Sequence, residues 1–308
     1  MATNPPKRQR VPVHGVLLLD KHAGHSSNDV LIKAKRLLNA QKAGHTGTLD
    51  PFATGLLPLC FGEATKFAQD LLDAEKTYET VVHLGRTTTT GDTEGEVVAE
   101  FPVDITPQAI EAALARFRGP ISQVPPMYSA LKRDGKPLYE YARAGITLER
   151  EARDVIIHEL EILGYEKPYL SLRVKCSKGT YVRVLGEDIG AALGCGAHLK
   201  SLRRTQVGSL SVDKAITLEA LEARNENERK AALAPVDALL SRFAAVHLPE
   251  VLAKRFSQGQ RLTLEKEGLP TPKQAGRVAV YHADNSRLLG TAFWHDYGVL
   301  APERLIAL

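Results

Sequence analysis

The sequence predicts an α+β fold: a mixed, largely antiparallel sheet flanked by helices, followed by a small C-terminal β-barrel. Three observations carry this. Strand-like and helix-like runs intermingle without the regular strand–helix–strand rhythm of a doubly wound sheet. The 308 residues suit about two domains at ~150 residues each. Composition shifts after "LLSRFAAVHLPE", where short alternating runs and turn residues replace longer elements. The expected division is residues 11–245, with an arm at about 124–152, and residues 246–308.

Each element has a local reason. "HGVLLLDK" is a continuous apolar run of strand length, ending in polar residues. "GHSSNDVLIKAKRLLNA" predicts a helix with Ser26 or Ser27 as cap and Val30, Ala34, Leu37 and Leu38 on one face. "TYETVVHLG" alternates as a strand, and "RTTTTGDTEGEVV" is a Gly/Thr turn entering another. In "TPQAIEAALARFRG", Thr106 caps, Pro107 suits the first turn, Ile110, Leu114 and Phe117 share a face, and Gly119 ends the helix. "VPPMYSALKRDGKPLYEYARAG" is Pro-rich, basic and aromatic, and reads as a long loop or arm. "DVIIHELEIL" and "YLSLRVKCS" are strands; "KGTY" is a turn; a helix follows near "VRVLGEDIGAALG". "TLEALEARNENERKAAL" reads as one polar helix. In the smaller domain, "EVLAKRFSQG" predicts a short helix. Asp284–Asn285–Ser286 then splits two alternating runs into a hairpin.

Composition narrows the function classes. The net charge of +4 is mild, and 44% apolar residues are ample for a core. Local charge is more informative. Residues 1–50 carry eight Lys/Arg, Lys7 and Arg8 among them, against Asp20, Asp29 and Asp50. Residues 173–204 carry seven against Glu187 and Asp188. Such patches suit a polyanionic partner, through counterion release, as well as an ordinary solvated surface. The three scattered cysteines include no CxxC pair, which predicts neither a disulfide framework nor a zinc site, and a reducing, cytoplasmic setting. No apolar run approaches the ~18 residues of a membrane span. No phosphate-binding loop or dinucleotide fingerprint follows a strand, and His22, His25 and His45 lack metalloprotease spacing.

The stretch "GHTGTLDPFATGLLPL" sets one carboxylate, Asp50, among small, hydroxyl and apolar residues. An Asp before a Pro is a common turn former. Here Gly44, Gly47 and Gly55 permit a sharp turn or close approach of a ligand, His45, Thr46 and Thr48 supply hydrogen-bonding groups, and the apolar run behind would hold the loop on the core. A phosphatase nucleophile would want a second Asp two residues on, where Phe52 stands. Glycoside hydrolysis needs two facing carboxylates, and no second acid is adjacent in sequence.

This stretch resembles the signature of the B-class tRNA pseudouridine synthases, which make pseudouridine 55 in the TΨC loop. Further motifs occur in the same order. "GVLLLDKHAGHSSN" resembles the family's first motif and brings in Lys21, although Pro usually stands where this chain has His22. "EKTYE" resembles the motif of a base-stacking tyrosine, here Tyr78. "CSKGTYVRVLGEDIG" resembles the segment with a tyrosine, here Tyr181, and the arginine that pairs with the acid, here Arg183. "HLKSLRRTQVG", containing Leu202, resembles the stretch that follows. The match runs from about Val13 to Gly208, and the tail after Val246 resembles a PUA-type RNA-binding domain.

The resemblance implies an isomerase that breaks the N-glycosidic bond of uridine, rotates the uracil and rejoins it through C5, with no cofactor and no metal. Asp50 would attack C1′ or remove the C2′ proton. Arg183 beside it would favour the ionised form, and a second acid nearby would raise its pKa, which accounts for an acid standing alone. Tyr78 would stack on the flipped base and help take the C5 proton. Tyr181 and Leu202 would line the uracil pocket, and His45 would contact displaced RNA. A target inside the folded T-arm of tRNA must be flipped out, so extra grip is expected from the arm. There Lys132, Arg133, Lys136 and Arg143 interleave with Tyr128, Tyr139 and Tyr141. The chain is expected to act as a monomer, without a protein partner or a membrane. The competing expectations are a non-catalytic RNA-binding or RNA-folding protein, and a hydrolase using a lone Asp.

Overall fold

The computed structural model describes residues 9–284 and 286–307; Lys7, Arg8 and Asn285 lie outside the described residues. A ten-stranded mixed sheet forms the centre. Its main path runs Ile216–Thr217, Gly15–Lys21, Thr54–Phe61, Ala197–Val207, Lys76–Leu84, Tyr169–Cys176, Arg153–Glu166, Gly119–Gln123. Two of these pairings are parallel, Gly15–Lys21 with Ile216–Thr217 and Ala197–Val207 with Thr54–Phe61. The others on the path are antiparallel. Gly15–Lys21 and Thr54–Phe61 are covered on both faces, which is why they read as unbroken apolar runs. Leu17, Leu19, Leu57 and Leu59 face one core; Val16, Leu18, Leu56 and Cys60 face a second. Toward the far edge Arg153–Glu166 has one wet face and alternates accordingly.

The first core is closed by helices Ser27–Leu37, Pro107–Ala115 and Val182–Ala192. Ser26 caps the first in a capping box with Asp29, and Thr106 caps the second, receiving the Ala109 N–H. That helix stops at Ala115, and Gly119 instead opens the next strand. The single polar helix expected over 217–233 is two, Leu218–Ala223 and Glu226–Ala231. Asn225 caps the second in a box with Glu228, an arrangement incompatible with a continuous helix. The arm also holds more structure than a loop: the hairpin Lys132–Arg133 with Lys136–Pro137, then helix Leu138–Arg143. Asp134 and Gly135, both at positive φ, form its turn, as the Asp-Gly pair favours.

The C-terminal segment forms a five-stranded sheet in the order Ala244–Leu248, Gly276–His282, Leu288–Trp294, Val299–Leu305, Leu262–Thr263, with helix Glu250–Ser257 against it. The pairings run as an open path among the described residues, a half-barrel where a small β-barrel was expected. This unit has its own core around Leu248, Phe256, Val280 and Leu300. Its Ala279 and Leu288 belong to the second core, with Phe67 and Val236. No helix among the described residues is long and apolar enough to cross a membrane.

Candidate active site

Asp50 lies on the loop that leaves strand Ala43–His45 and enters Thr54–Phe61. Two side chains from the core hold this loop. Ser27 and Leu49 exchange hydrogen bonds, the Ser27 hydroxyl donating to the Leu49 carbonyl at 3.0 Å and accepting its N–H at 2.8 Å. Lys21, 1% exposed, donates Nζ to the carbonyls of His22 at 2.9 Å, His25 at 2.7 Å and Pro51 at 3.1 Å. All three ammonium protons thus tie the Asp50–Pro51 turn to the first motif. Burial lowers the Lys21 pKa to about 8, against the pull of Asp50.

Arg183, in the first turn of helix Val182–Ala192, meets Asp50. Its Nε donates to Asp50 Oδ2 at 2.9 Å, Nη1 to the Thr90 carbonyl at 2.9 Å and Nη2 to the Tyr128 carbonyl at 2.7 Å. The Arg183 side chain is 4% exposed and that of Asp50 35%, so the cation is sealed while the carboxylate can be reached. The expectation that Asp50 stands alone among acids is corrected here. Asp92 Oδ2 lies 3.5 Å from the same Arg183 Nε. Asp92 is itself buried and held by the Thr90 hydroxyl at 2.5 Å and the Glu94 N–H at 2.9 Å. Burial pushes the Asp50 carboxyl up, Arg183 draws it back, and Asp92 pushes it up again.

A cavity of about 340 Å³ opens at Asp50, and Tyr78, Tyr181, Arg183, Leu202 and Arg204 share its wall. Tyr78 comes from the central strand Lys76–Leu84, where burial pushes its phenol up and Arg204 draws it down. Tyr181 is clamped by Gln123, which accepts its N–H at 3.1 Å and donates to its carbonyl at 3.3 Å. Leu202 is 7% exposed. His45, Lys21, Lys132, Arg133 and Arg143 do not line this cavity. His45 has a buried, unpartnered Nδ1 and a pKa lowered by burial. Lys132 and Arg133 are exposed on the arm hairpin. Arg143 lies over Tyr139 at 5.3 Å and Lys136 over Tyr141 at 4.7 Å.

The second basic segment differs from a free patch. Arg173 pairs with Glu79 and Glu161, Lys175 with Glu75 and Glu159, Lys178 with Asp73, and Arg203 with Asp20. Arg183 and Arg204 are buried, and Lys200 sits over Tyr169 at 3.7 Å. The local net charge does not reveal that most of these cations are met by carboxylates from elsewhere in the chain. Asp92 and Arg204 escaped the sequence reading, because each looks like an ordinary turn or strand residue. Among the described residues no group of three or more His, Cys, Asp or Glu could hold a metal ion.

Three family models cover the chain in succession. TruB family pseudouridylate synthase (N terminal domain) matches residues 35–182, tRNA pseudouridylate synthase B C-terminal domain 183–241, and Pseudouridine synthase II TruB, C-terminal 244–306. The tRNA pseudouridine synthase B of Ralstonia pickettii (strain 12J) is 61% identical, over 99% of this chain and 98% of that protein. That of Burkholderia mallei (strain ATCC 23344) is 62% identical, over 98% and 96%. A solved structure described as an H/ACA RNP bound to a substrate RNA containing 2'-deoxyuridine aligns with a TM-score of 0.74 at 25% identity, covering 96% of this chain and 86% of that one. With an acid and an arginine paired at the mouth of a tyrosine-lined cavity, and with this similarity along nearly its whole length, the chain belongs to the TruB family of pseudouridylate synthases.

Proposed function

We propose that the chain converts uridine 55 in the T-loop of tRNA to pseudouridine, and that Asp50 initiates cleavage of the N-glycosidic bond. The observation that carries this is the ion pair of Arg183 with Asp50 beside Tyr78 in one cavity. The names of the relatives, at 60% identity and above, support the tRNA substrate. Asp50 acts as the carboxylate, kept ionised by Arg183 against its burial. It attacks C1′ or removes the C2′ proton, and the N1–C1′ bond breaks. The uracil rotates against Tyr78, held between Leu202 and Tyr181, and C5 bonds to C1′ as the Asp50–C1′ bond breaks or, on the other route, as C2′ regains its proton from Asp50. The C5 proton then leaves, with Tyr78 as its acceptor.

RNA grip is assigned to His45, to Lys132, Arg133 and Arg143 on the arm, and to residues 246–308 as a PUA-like RNA-binding unit beside a catalytic unit of 11–245. Lys21 is assigned to the shape of the Asp50 loop, since its three protons already meet carbonyls. The chain is taken to work on the T-arm as a cytoplasmic monomer without a cofactor.

The test separates binding from chemistry. Asn in place of Asp50 keeps size and much of the hydrogen bonding but removes the carboxylate. With tritium on uracil C5, the unaltered chain should release it to water, because the C5 hydrogen leaves as pseudouridine forms. Asp50→Asn should retain the tritium while still binding the tRNA, since phosphate contacts and stacking lie elsewhere. Release at a rate close to the unaltered chain refutes the assignment. No release by the unaltered chain favours a non-catalytic RNA-binding protein.

A further inference from the structure

Arg204 is among the largest fully buried side chains of the protein, at 1% exposure. Its Nε donates to the Leu56 carbonyl at 2.8 Å and its Nη2 to the Gly47 carbonyl at 3.1 Å. No carboxylate lies within ion-pairing distance of it among the described residues. A buried cation met by two carbonyls and the Tyr78 hydroxyl, with no carboxylate, is costly, so this position calls for a function.

The register supplies one. Arg204 stands opposite Gly55 on one neighbouring strand and opposite Tyr78 on the other. Gly55 has φ 100°, and a Cβ there would lie 2.2 Å from the Arg204 carbonyl oxygen. The backbone at Arg204 is therefore wedged between the exit of the Asp50 loop and the strand of Tyr78. Its side chain reaches back to carbonyls on both sides of Asp50. The guanidinium stands close enough to Tyr78 to act on its ionisation, and both residues share the cavity wall.

Resting on the isomerase reading above, we propose that Arg204 is a positioning residue: it fixes the Asp50 loop against Tyr78, and its cation steadies the Tyr78 oxygen as that oxygen takes the proton from uracil C5. In that step the C5–H bond breaks and its electron pair restores the C5–C6 double bond. The proton passes to the Tyr78 phenolate, whose own proton has gone to water beforehand. Burial disfavours a phenolate, and Arg204 opposes that effect.

The experiment is single-turnover pseudouridine formation on tRNA carrying uridine or 5-deuterouridine at the target. The unaltered chain is compared with Arg204→Met, Arg204→Gln and Arg204→Lys. Met and Gln are expected to slow the reaction by at least about tenfold, as for loss of a proton-transfer aid. They should also show a larger deuterium effect than the unaltered chain, because C5 deprotonation becomes limiting. Lys keeps the cation and should return the deuterium effect to that of the unaltered chain. Gln removes the buried charge while keeping a donor for one carbonyl, and serves where Met fails to fold. Slowing by Met or Gln with an unchanged deuterium effect, or no slowing, overturns the inference while leaving the isomerase reading intact. If the unaltered chain forms no pseudouridine, the isomerase reading fails and this inference with it.

Discussion

Arg183 binds Asp50 through Nε at 2.9 Å while its two Nη groups hold the carbonyls of Thr90 and Tyr128. One guanidinium thus joins the Asp50 loop, the turn between the paired strands Arg86–Thr88 and Val97–Glu100, and the root of the arm. Segments far apart in sequence depend on a side chain that is almost sealed from water, and Asp92 shares it.

Arg183→Met should therefore do two things. It leaves Asp50 and Asp92 facing each other without their cation, which favours protonation of one of them. Turnover should fall at least about a hundredfold, the scale seen when a preorganised electrostatic partner is lost. Breaking a buried pair on one side should also cost about 3–5 kcal/mol. Single-turnover rates together with denaturant unfolding check both, and near-normal turnover would sink the pairing as a catalytic one.

Asp92→Asn separates the second acid from the first. Asp92 raises the Asp50 pKa, so its neutralisation should lower it. The acidic limb of the pH–rate profile is expected to move to lower pH, while the rate on the plateau falls because Arg183 loses part of its anchorage. A limb that stays in place, or moves upward, would show that the two carboxylates do not communicate.

The sheet was largely legible in the sequence, and so was the shaped loop that carries Asp50. Alternation in "YLSLRVKCS" and the unbroken "GVLLLDK" follow directly from one wet face and from none. That loop was legible because it is unusual over many residues in a row. What escaped was long-range pairing. Arg204 reaches Gly47 across 157 positions, and nothing local in "SLRRTQ" marks the second arginine as buried and the first as paired with Asp20. Lys21 likewise hides its burial, because a lysine ordinarily predicts surface. Two local signals were present and went unread: Asp134–Gly135 for the arm hairpin, and Asn225 with Glu228 for the split helix.

Glu187 gives a pH-dependent stability test away from Asp50. Burial raises its carboxyl from 4.5 to about 6. A carboxyl whose pKa is higher folded than unfolded favours the fold at pH below the unfolded value, and that contribution is lost as pH rises through the folded one. Glu187→Gln does not titrate. At pH 7–8 it should be more stable than the unaltered chain by up to about 2 kcal/mol, at 1.36 kcal/mol per pKa unit. The difference should vanish near pH 4. Urea unfolding at the two pH values measures it, and an equal gain at both would contradict the burial argument.

The C-terminal unit offers the last test, because its contact with the larger unit is partly ionic and buried. Asp70 is 3% exposed and pairs with Arg277. Arg277 also lies 2.8 Å from Glu303, and Lys66 donates to the Leu305 carbonyl at 2.9 Å. Burial pushes the Asp70 carboxyl up even with Arg277 pulling it down. Arg277→Met leaves a buried carboxylate without its cation and should cost about 3–5 kcal/mol at neutral pH. Asp70 then becomes protonated at a higher pH than before, so the cost should shrink as pH falls through that value. Asp70→Asn combined with Arg277→Met should recover much of the loss, since the buried carboxylate is gone and only the partly exposed Glu303 has lost its cation. Removing 247–308 takes away Arg277 and Glu303 together with Ala279 and Leu288 of the shared core, so the truncated chain should be the least stable of the set. None of the residues assigned to chemistry lies in that segment. A folded truncated chain should therefore bind tRNA more weakly yet retain its rate at saturating tRNA. Complete loss of that single-turnover rate in a folded truncated chain would show that the C-terminal unit takes part in the chemistry.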